Sequence, residues 1–389
     1  MKKLSVVLGL FCALSAHATE YLTNPDGSDF YIKSFGETAG LSISKDGRYI
    51  TFGNNLFDRL YNQKEKLFPS EYNELSPNSS VVMSSDAKHF VWNSSEKGFQ
   101  RLNVNDGTVD DLSYYNGKKL SVTKFSLSGD GSCMAFYGSA KYIFGIDNGV
   151  NVLKYCFDDK TLDMMPATDN GLVNHYSVRM SDDSSVVSYG PSGLTDYGYN
   201  IPFLDKVYVY KDQQLITANT GKAGYFYTAV SGNGKYVFYS TLSVENGSYK
   251  QNGVYVLDTI LKKYFPLEVI VNGEKKIIYA MGDGMASSGD GRYFVFISNN
   301  SYVDEDLDSS DVYVYDQLLS EVKIIPKSNF SGPLVLNTKP VISLDGRHIA
   351  FIAEDRTSNI GTSDWPVYKT RVVTARNPFL DDDTFCKAY

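Results

Sequence analysis

The chain is 389 residues long, 42% hydrophobic and 14% aromatic, with 37 basic against 45 acidic side chains and a formal net charge of −8. An acidic balance of this size argues against nucleic acid and anionic lipid as partners, because both repel a negative surface. No apolar run approaches the ~20 residues that a membrane-crossing helix needs, so no transmembrane segment is expected.

Lys2 and Lys3, the apolar stretch from Leu4 to Leu14 and the small-x-small triplet Ala16-His17-Ala18 read as a secretory signal peptide over residues 1–18. Loss of Lys2 and Lys3 on cleavage leaves 35 basic residues against 45 acidic ones, a net charge of −10. The expected location is therefore periplasmic or secreted. Cys133, Cys156 and Cys386 remain after cleavage. Cys133 and Cys156 either bridge neighbouring strands or stay as small buried apolar residues, and an odd count leaves at least one thiol unpaired or paired between chains.

From residue 41 onward one pattern recurs. It begins at Ser44, Ser84, Ser128, Ser181, Ser231, Ser288 and Ser343, with separations of 40, 44, 53, 50, 57 and 55 residues. That is the period of a propeller blade. Two residues after the serine stands Asp or Asn, and after that Gly in five copies, with Ala87 and Ser184 in the other two. Asp and Asn bond their own backbone and glycine accepts positive φ, so Ser-x-Asp-Gly between apolar runs predicts a tight hairpin. If Ala87 and Ser184 keep the left-handed conformation, each costs about 1 kcal/mol.

Six residues past each serine comes an apolar side chain, and two further an aromatic: Phe52, Trp92, Phe136, Tyr189, Tyr239, Phe296 and Phe351. This strand-like alternation predicts rings wedged between neighbouring blades. The residues before the serine supply an inner strand. Runs such as Lys206 to Tyr210, Gly253 to Leu257 and Asp311 to Tyr315 supply a third, and Glu321 to Ile325 a fourth. Four short strands in each of seven units predict an all-β, seven-bladed propeller over residues 19–376 with a C-terminal tail over 377–389. The last blade lacks an outer strand, and Asp29 to Ser34 alternates like one, so an N-terminal strand is expected to close the ring in blade seven.

The copy from Ser288 to Phe296, followed by Asp311-Val312-Tyr313-Val314-Tyr315-Asp316, resembles the WD40-like PD40 repeats of TolB-like propellers. The resemblance covers nearly all of the mature chain and implies the propeller fold. The proline of that family's Ser-Pro-Asp-Gly motif is absent from all seven copies, and seven units stand in place of the six of TolB.

Catalytic signatures are scarce. No Gly-x-Ser-x-Gly elbow, His-Glu-x-x-His, Cys-x-x-Cys or Gly-x-x-x-x-Gly-Lys occurs. His89 and His348 share one repeat position, five past the serine, and read as structural. Arg179 stands two before its serine, where the other blades carry Ser42, Val82, Ser126, Ala229, Ala286 and Val341. A cation there either binds an anionic ligand at the channel or pairs with a neighbouring carboxylate. His175, four residues earlier, falls near the same mouth. Asp304, Asp306 and Asp308 offer hard oxygens at alternate positions, so Ca²⁺ is the alternative to an expectation of no cofactor.

A complete ring beside so few catalytic groups leads to the expectation of an exported, non-catalytic, monomeric propeller that binds a protein or cell-envelope component through a loop face. The alternative is a carbohydrate-active propeller enzyme, lyase or hydrolase, or a lectin-like glycan binder.

Overall fold

The computed structural model describes residues 20–22, 40–53, 55–67, 81–94, 98–120, 122–139, 141–145, 150–166, 174–192, 206–219, 226–245, 248–281, 284–303, 311–325, 340–355 and 369–380. Seven four-stranded antiparallel sheets follow one another around an axis, six of them running in sequence order from an inner strand outward and the last taking its outermost strand from the N-terminal side of the chain. Blade four is typical, with strands Asn174–Met180, Val186–Ser192, Lys206–Lys211 and Gln214–Asn219. Two-stranded hairpins are inserted between blades two and three (Tyr114–Tyr115 with Lys118–Lys119) and between blades five and six (Glu268–Val271 with Glu274–Ile277).

The recurring serine does more than start a turn. In every copy its hydroxyl donates to the Asp or Asn two residues on, from 2.5 Å at Ser343 and Asp345 to 2.8 Å at Ser128 and Asp130. The same oxygen accepts the backbone N–H five residues on, as from Tyr49 at 2.9 Å and Tyr293 at 3.0 Å. Ser128, Ser231, Ser288 and Ser343 are fully buried. The serine therefore satisfies a strand-end amide that water cannot reach, while orienting the turn carboxylate.

Glycine at the fourth position answers two demands at once. Its φ is positive, +73° at Gly47 and +71° at Gly131, and a Cβ there would strike His348 and His89 of the preceding blades at 2.4 and 2.5 Å. The residue five past each serine thus packs on the next blade's hairpin. Ala87 (φ 59°) and Ser184 (φ 57°) keep the left-handed backbone despite their side chains, as the sequence anticipates. Ser184 follows the blade whose equivalent residue is the small Cys133, which leaves more room than a ring would.

Odd and even residues of the second strands face opposite ways, so seven apolar interfaces form. Phe238 of blade five stacks on Phe294 of blade six with centroids 4.6 Å apart, and Val295 and Ile297 of blade six meet Ile349 and Phe351 of blade seven. All seven expected aromatics are buried, Phe52 at 5% exposure being the most open. Truncating one to alanine typically costs ~3–5 kcal/mol. Ile50 and Phe52 meet Ala350 and Ile352, so the first blade seals against the last. Cys133 and Cys156 stand opposite each other in blade three and form a disulfide.

An N-terminal strand does close blade seven, but at a different place from the one expected. Glu20–Tyr21 pairs with Thr374 and Val373 on Lys369–Arg376, and the Leu22 N–H continues the ladder to the Val372 carbonyl at 3.0 Å. A two-residue ladder carries no alternation to read, whereas Asp29 to Ser34, which does alternate, lies outside the described residues. Asn377 to Leu380 continue beyond the third strand as a turn, with Asn377 buried and donating to the Gly346 carbonyl at 2.7 Å.

A chain beginning at residue 23 is expected to melt well below the chain that keeps Glu20 to Leu22, as calorimetry would show; equal melting temperatures would remove the closure from the account. Ser184→Gly is expected to stabilise by about 1 kcal/mol in chemical denaturation, because it relieves a left-handed Cβ.

Candidate functional site

The inner strands surround the axis and end in the Ser-x-Asp-Gly hairpins, so those hairpins gather at one end of the channel. There a backbone ring runs through all seven blades. Lys45 N–H reaches the Ser85 carbonyl at 2.7 Å, Asp86 reaches Gly129, Gly129 reaches Asp182, Asp182 reaches Gly232, Asn233 reaches Gly289, Gly289 reaches Leu344, and Asp345 returns to Lys45 at 3.1 Å. Second strands such as Val186–Ser192 and His348–Asp355 run from the hairpins to the opposite, loop face. The hairpins narrow the axis at their own end, where Asp182, Gly232, Gly289 and Leu344 crowd together.

Arg179 lies on the inner strand of blade four, paired with Ser188. At the equivalent position Ser42 and Ser126 accept the Met83 and Met180 amides of the next blade's inner strand, at 3.3 and 3.0 Å. That position thus points along the axis toward the following blade. Arg179 is half-buried there, and its Nη1 donates to the Val178 carbonyl at 2.9 Å. Beside it Ser177, Ser188 and Thr228 form a buried hydroxyl cluster, with Ser188 Oγ donating to Thr228 Oγ1 at 3.0 Å and the Thr228 N–H to Ser177 Oγ at 3.2 Å. A guanidinium next to fixed hydroxyls suits a carboxylate or a developing oxyanion.

His175 is four residues up the same strand, in register with Pro191, with a β-bulge before Ser177. At ~3.3 Å per residue it stands roughly 13 Å from Arg179 toward the loop face. The strand sets the two backbone positions at different heights on blade four, with the bulge between them. Asp304, Asp306 and Asp308 lie outside the described residues.

One residue of the site was not singled out from the sequence. Asp182 fills the second position of its hairpin, where Gly129, Gly232 and Gly289 stand in other blades. A Cβ on Gly129 or Gly232 would come within 2.6 or 2.5 Å of its side chain, so those glycines make room for it at the axis. Its Oδ1 accepts the Ser85 hydroxyl of blade two at 2.8 Å, and its buried Oδ2 has no hydrogen-bond partner among the described residues. Burial pushes its carboxyl above the ordinary 3.8, the Ser85 hydroxyl opposes the shift, and Asp183 and Asp130 add to it. The signal was present in the sequence as the one carboxylate among the seven second hairpin residues.

His89 and His348 lie in two separate blade interfaces, each against a hairpin glycine. Burial lowers both, His348 to about 4, so both are neutral packing groups. Among the described residues no group of three or more His, Cys, Asp or Glu could hold a metal ion.

No family model matches the chain, and no curated protein matches it. Solved structures do. The oligogalacturonate lyase of Vibrio parahaemolyticus superposes with a TM-score of 0.58 at 10% identity, covering 93% of this chain and 94% of that one. An oligogalacturonate lyase in complex with manganese superposes with a TM-score of 0.56 at 11% identity, covering 94% of each. At such identity the likeness shows a shared propeller. No step below is routed through a metal.

These neighbours correct the expected function. A non-catalytic binder of a protein or cell-envelope component was inferred from missing hydrolase and protease motifs, yet propellers that share this ring over nearly its whole length are lyases. Those motifs belong to other folds, and their absence carries no weight in a propeller.

Asp182→Asn keeps the acceptor for Ser85 and removes a buried charge. A folded-state pKa above the unfolded one means that the native carboxyl holds its proton longer, so stability is present below about 3.8 and is lost as pH rises through the raised value. Asp182→Asn is accordingly expected to melt higher than the parent at neutral pH and equally in acid; a gain at every pH would point to packing instead.

Proposed function

We propose that this chain is a carbohydrate-active propeller enzyme, a lyase that acts on a uronate-containing oligosaccharide entering from the loop face. The observation that carries the reading is Arg179, a half-buried cation on an inner strand where the other six blades place small or apolar residues. The full-length likeness to lyase propellers supports it.

In such an elimination the carbon beside the carboxylate loses its proton to a base. The electron pair left behind forms a double bond to the next ring carbon, and the glycosidic oxygen on that carbon departs with the bonding pair and takes a proton from water. Negative charge gathers on the carboxylate as the proton leaves. Arg179 holds that carboxylate and stabilises the added charge, which for a desolvated donor is worth ~10²–10³ in rate.

The same reading assigns the protein to an oxidising compartment, periplasmic or secreted, which the Cys133–Cys156 disulfide supports. The seven Ser-x-Asp-Gly hairpins support a kinship with TolB-like propellers.

Incubation with oligogalacturonate and other uronate oligosaccharides, followed by the ultraviolet absorbance of the new conjugated double bond, is the test. The parent is expected to form it, Arg179→Ala to be slower by about a hundredfold or more, and Arg179→Lys to recover part of the loss. Release of saturated products would indicate a hydrolase, and binding without turnover across the panel would indicate a lectin; either outcome overturns the lyase. Parallel assays with EDTA separate a cation-assisted reaction from one that relies on Arg179.

A further inference from the structure

The hairpin face carries a feature that the proposed reaction does not use. The turn that follows the third strand of each blade lies on that face, in most blades tied to the hairpin beside it. The N–H groups of Arg59, Thr259, Gln317 and Asn377 reach the carbonyls of Arg48, Lys235, Arg292 and Arg347 at 2.8–2.9 Å. In four consecutive blades these turns end in large exposed apolar side chains. Blade five shows Ile260 and Leu261 (63% and 66% exposed), and blade six Leu318 and Leu319 (73% and 51%). Leu380 in blade seven and Leu60 and Tyr61 in blade one complete an unbroken arc. The equivalent turns of blades two to four read Val104-Asn105-Asp106, Asp158-Asp159-Lys160 and Asp212-Gln213.

The backbone does not ask for leucine at these tips. An Asp or Asn at the root of the turn accepts the N–H two residues on in both halves, Asp316 from Leu318 at 2.9 Å and Asn103 from Asn105 at 3.0 Å. Polar tips serve the same geometry, so the apolar ones form a surface with a use of its own.

Charge divides along the same line. Lys45, Lys262, Lys263, Lys323, Arg347 and Arg376 are exposed on the apolar half. The acids at the roots of its turns face inward: Asp258 is buried, and Asp58 and Asp316 are tied to Arg48 and Arg292 at 2.7 and 2.8 Å. Asp46, Asp290 and Asp345 in its hairpins and Glu65 and Glu321 on its outer strands are exposed too, five acids against those six cations, with half-buried Arg59, Lys64 and Lys235 adding to the positive side. The other half exposes Asp106, Asp110, Asp111, Asp158, Asp159 and Asp212, with Lys88 and Lys160 among them. At ~0.1 M salt, charges more than about 10 Å apart are screened from one another, so the half that meets a surface acts by its own charge and not by the net charge of the chain.

We propose that this basic, apolar arc docks the propeller on an anionic lipid surface, with the leucine tips entering the headgroup boundary and the lysines and arginines meeting the phosphates. The inference goes beyond the proposed reaction, since it concerns where the protein sits and uses the face opposite the entry to the channel. Charge favours lipid over a second copy of the chain. Two arcs facing each other oppose cation to cation, and the acidic half offers the leucines little apolar surface.

The test is sedimentation of the purified protein with vesicles of phosphatidylcholine alone and of phosphatidylcholine mixed with phosphatidylglycerol. The parent is expected to bind the mixed vesicles at low salt and to be released as salt rises. Lys262→Glu combined with Lys263→Glu, and Leu261→Ser combined with Leu318→Ser, are each expected to lower partitioning about tenfold at an unchanged melting temperature. Asp158→Asn with Asp159→Asn serves as a control expected to leave partitioning unaltered. Failure of the parent to bind mixed vesicles, variants that bind as the parent does, or a dimer in light scattering that the serine variant dissolves would each overturn the proposal. None of these readouts depends on turnover, so the lyase and the docking surface stand or fall separately.

Discussion

The backbone ring at the axis is the constraint on which the rest of the molecule depends. Seven hairpins pass hydrogen bonds from blade to blade through their second residue, and the last returns to the first through Asp345 and Lys45. Because the second residue is held by its main chain, its side chain is free to vary, and the column runs from lysine and serine through glycine to aspartate and leucine. The first, third and fourth residues are not free in this way. Serine must cap a buried amide, the acidic or amide residue must accept the serine, and the fourth must adopt positive φ beneath the preceding blade.

That logic separates structure from function in a chain with few chemical landmarks. Where a position repeats with its chemistry intact, packing explains it, as with His89 and His348 against their glycines. Where one copy departs from its column, the departure calls for another account. Blade four departs at Arg179, and three residues on it alone carries a carboxylate at the second hairpin position, Asp182. Arg179 shares its strand with buried hydroxyls; Asp182 places a carboxylate, its pKa raised by burial, at the narrow end. Propeller channels concentrate function along their axis because the inner strands bring one side chain from each blade to the same place, and asymmetry in one blade then acts on whatever enters.

The net charge of the chain is not spread evenly over its surface. Taken over the whole chain it argues against an anionic surface as a partner, while on the hairpin face the acidic side chains concentrate on blades two to four and the exposed leucines on blades five to one. A count over the sequence averages what a ring keeps apart.

The sequence by itself determined the number of blades, the hairpin chemistry, the burial of the seven aromatics and the left-handed backbone at Ala87 and Ser184, because each follows from local periodicity or local sterics. It also marked Arg179 as an exception in its column. Only the tertiary structure decided that Glu20–Tyr21 closes the ring, that Asp182 meets Ser85 across the axis, that Cys133 joins Cys156 and that the exposed leucines form one arc. These depend on which distant segments the closed ring brings side by side, and no pattern within a single repeat encodes that neighbourhood.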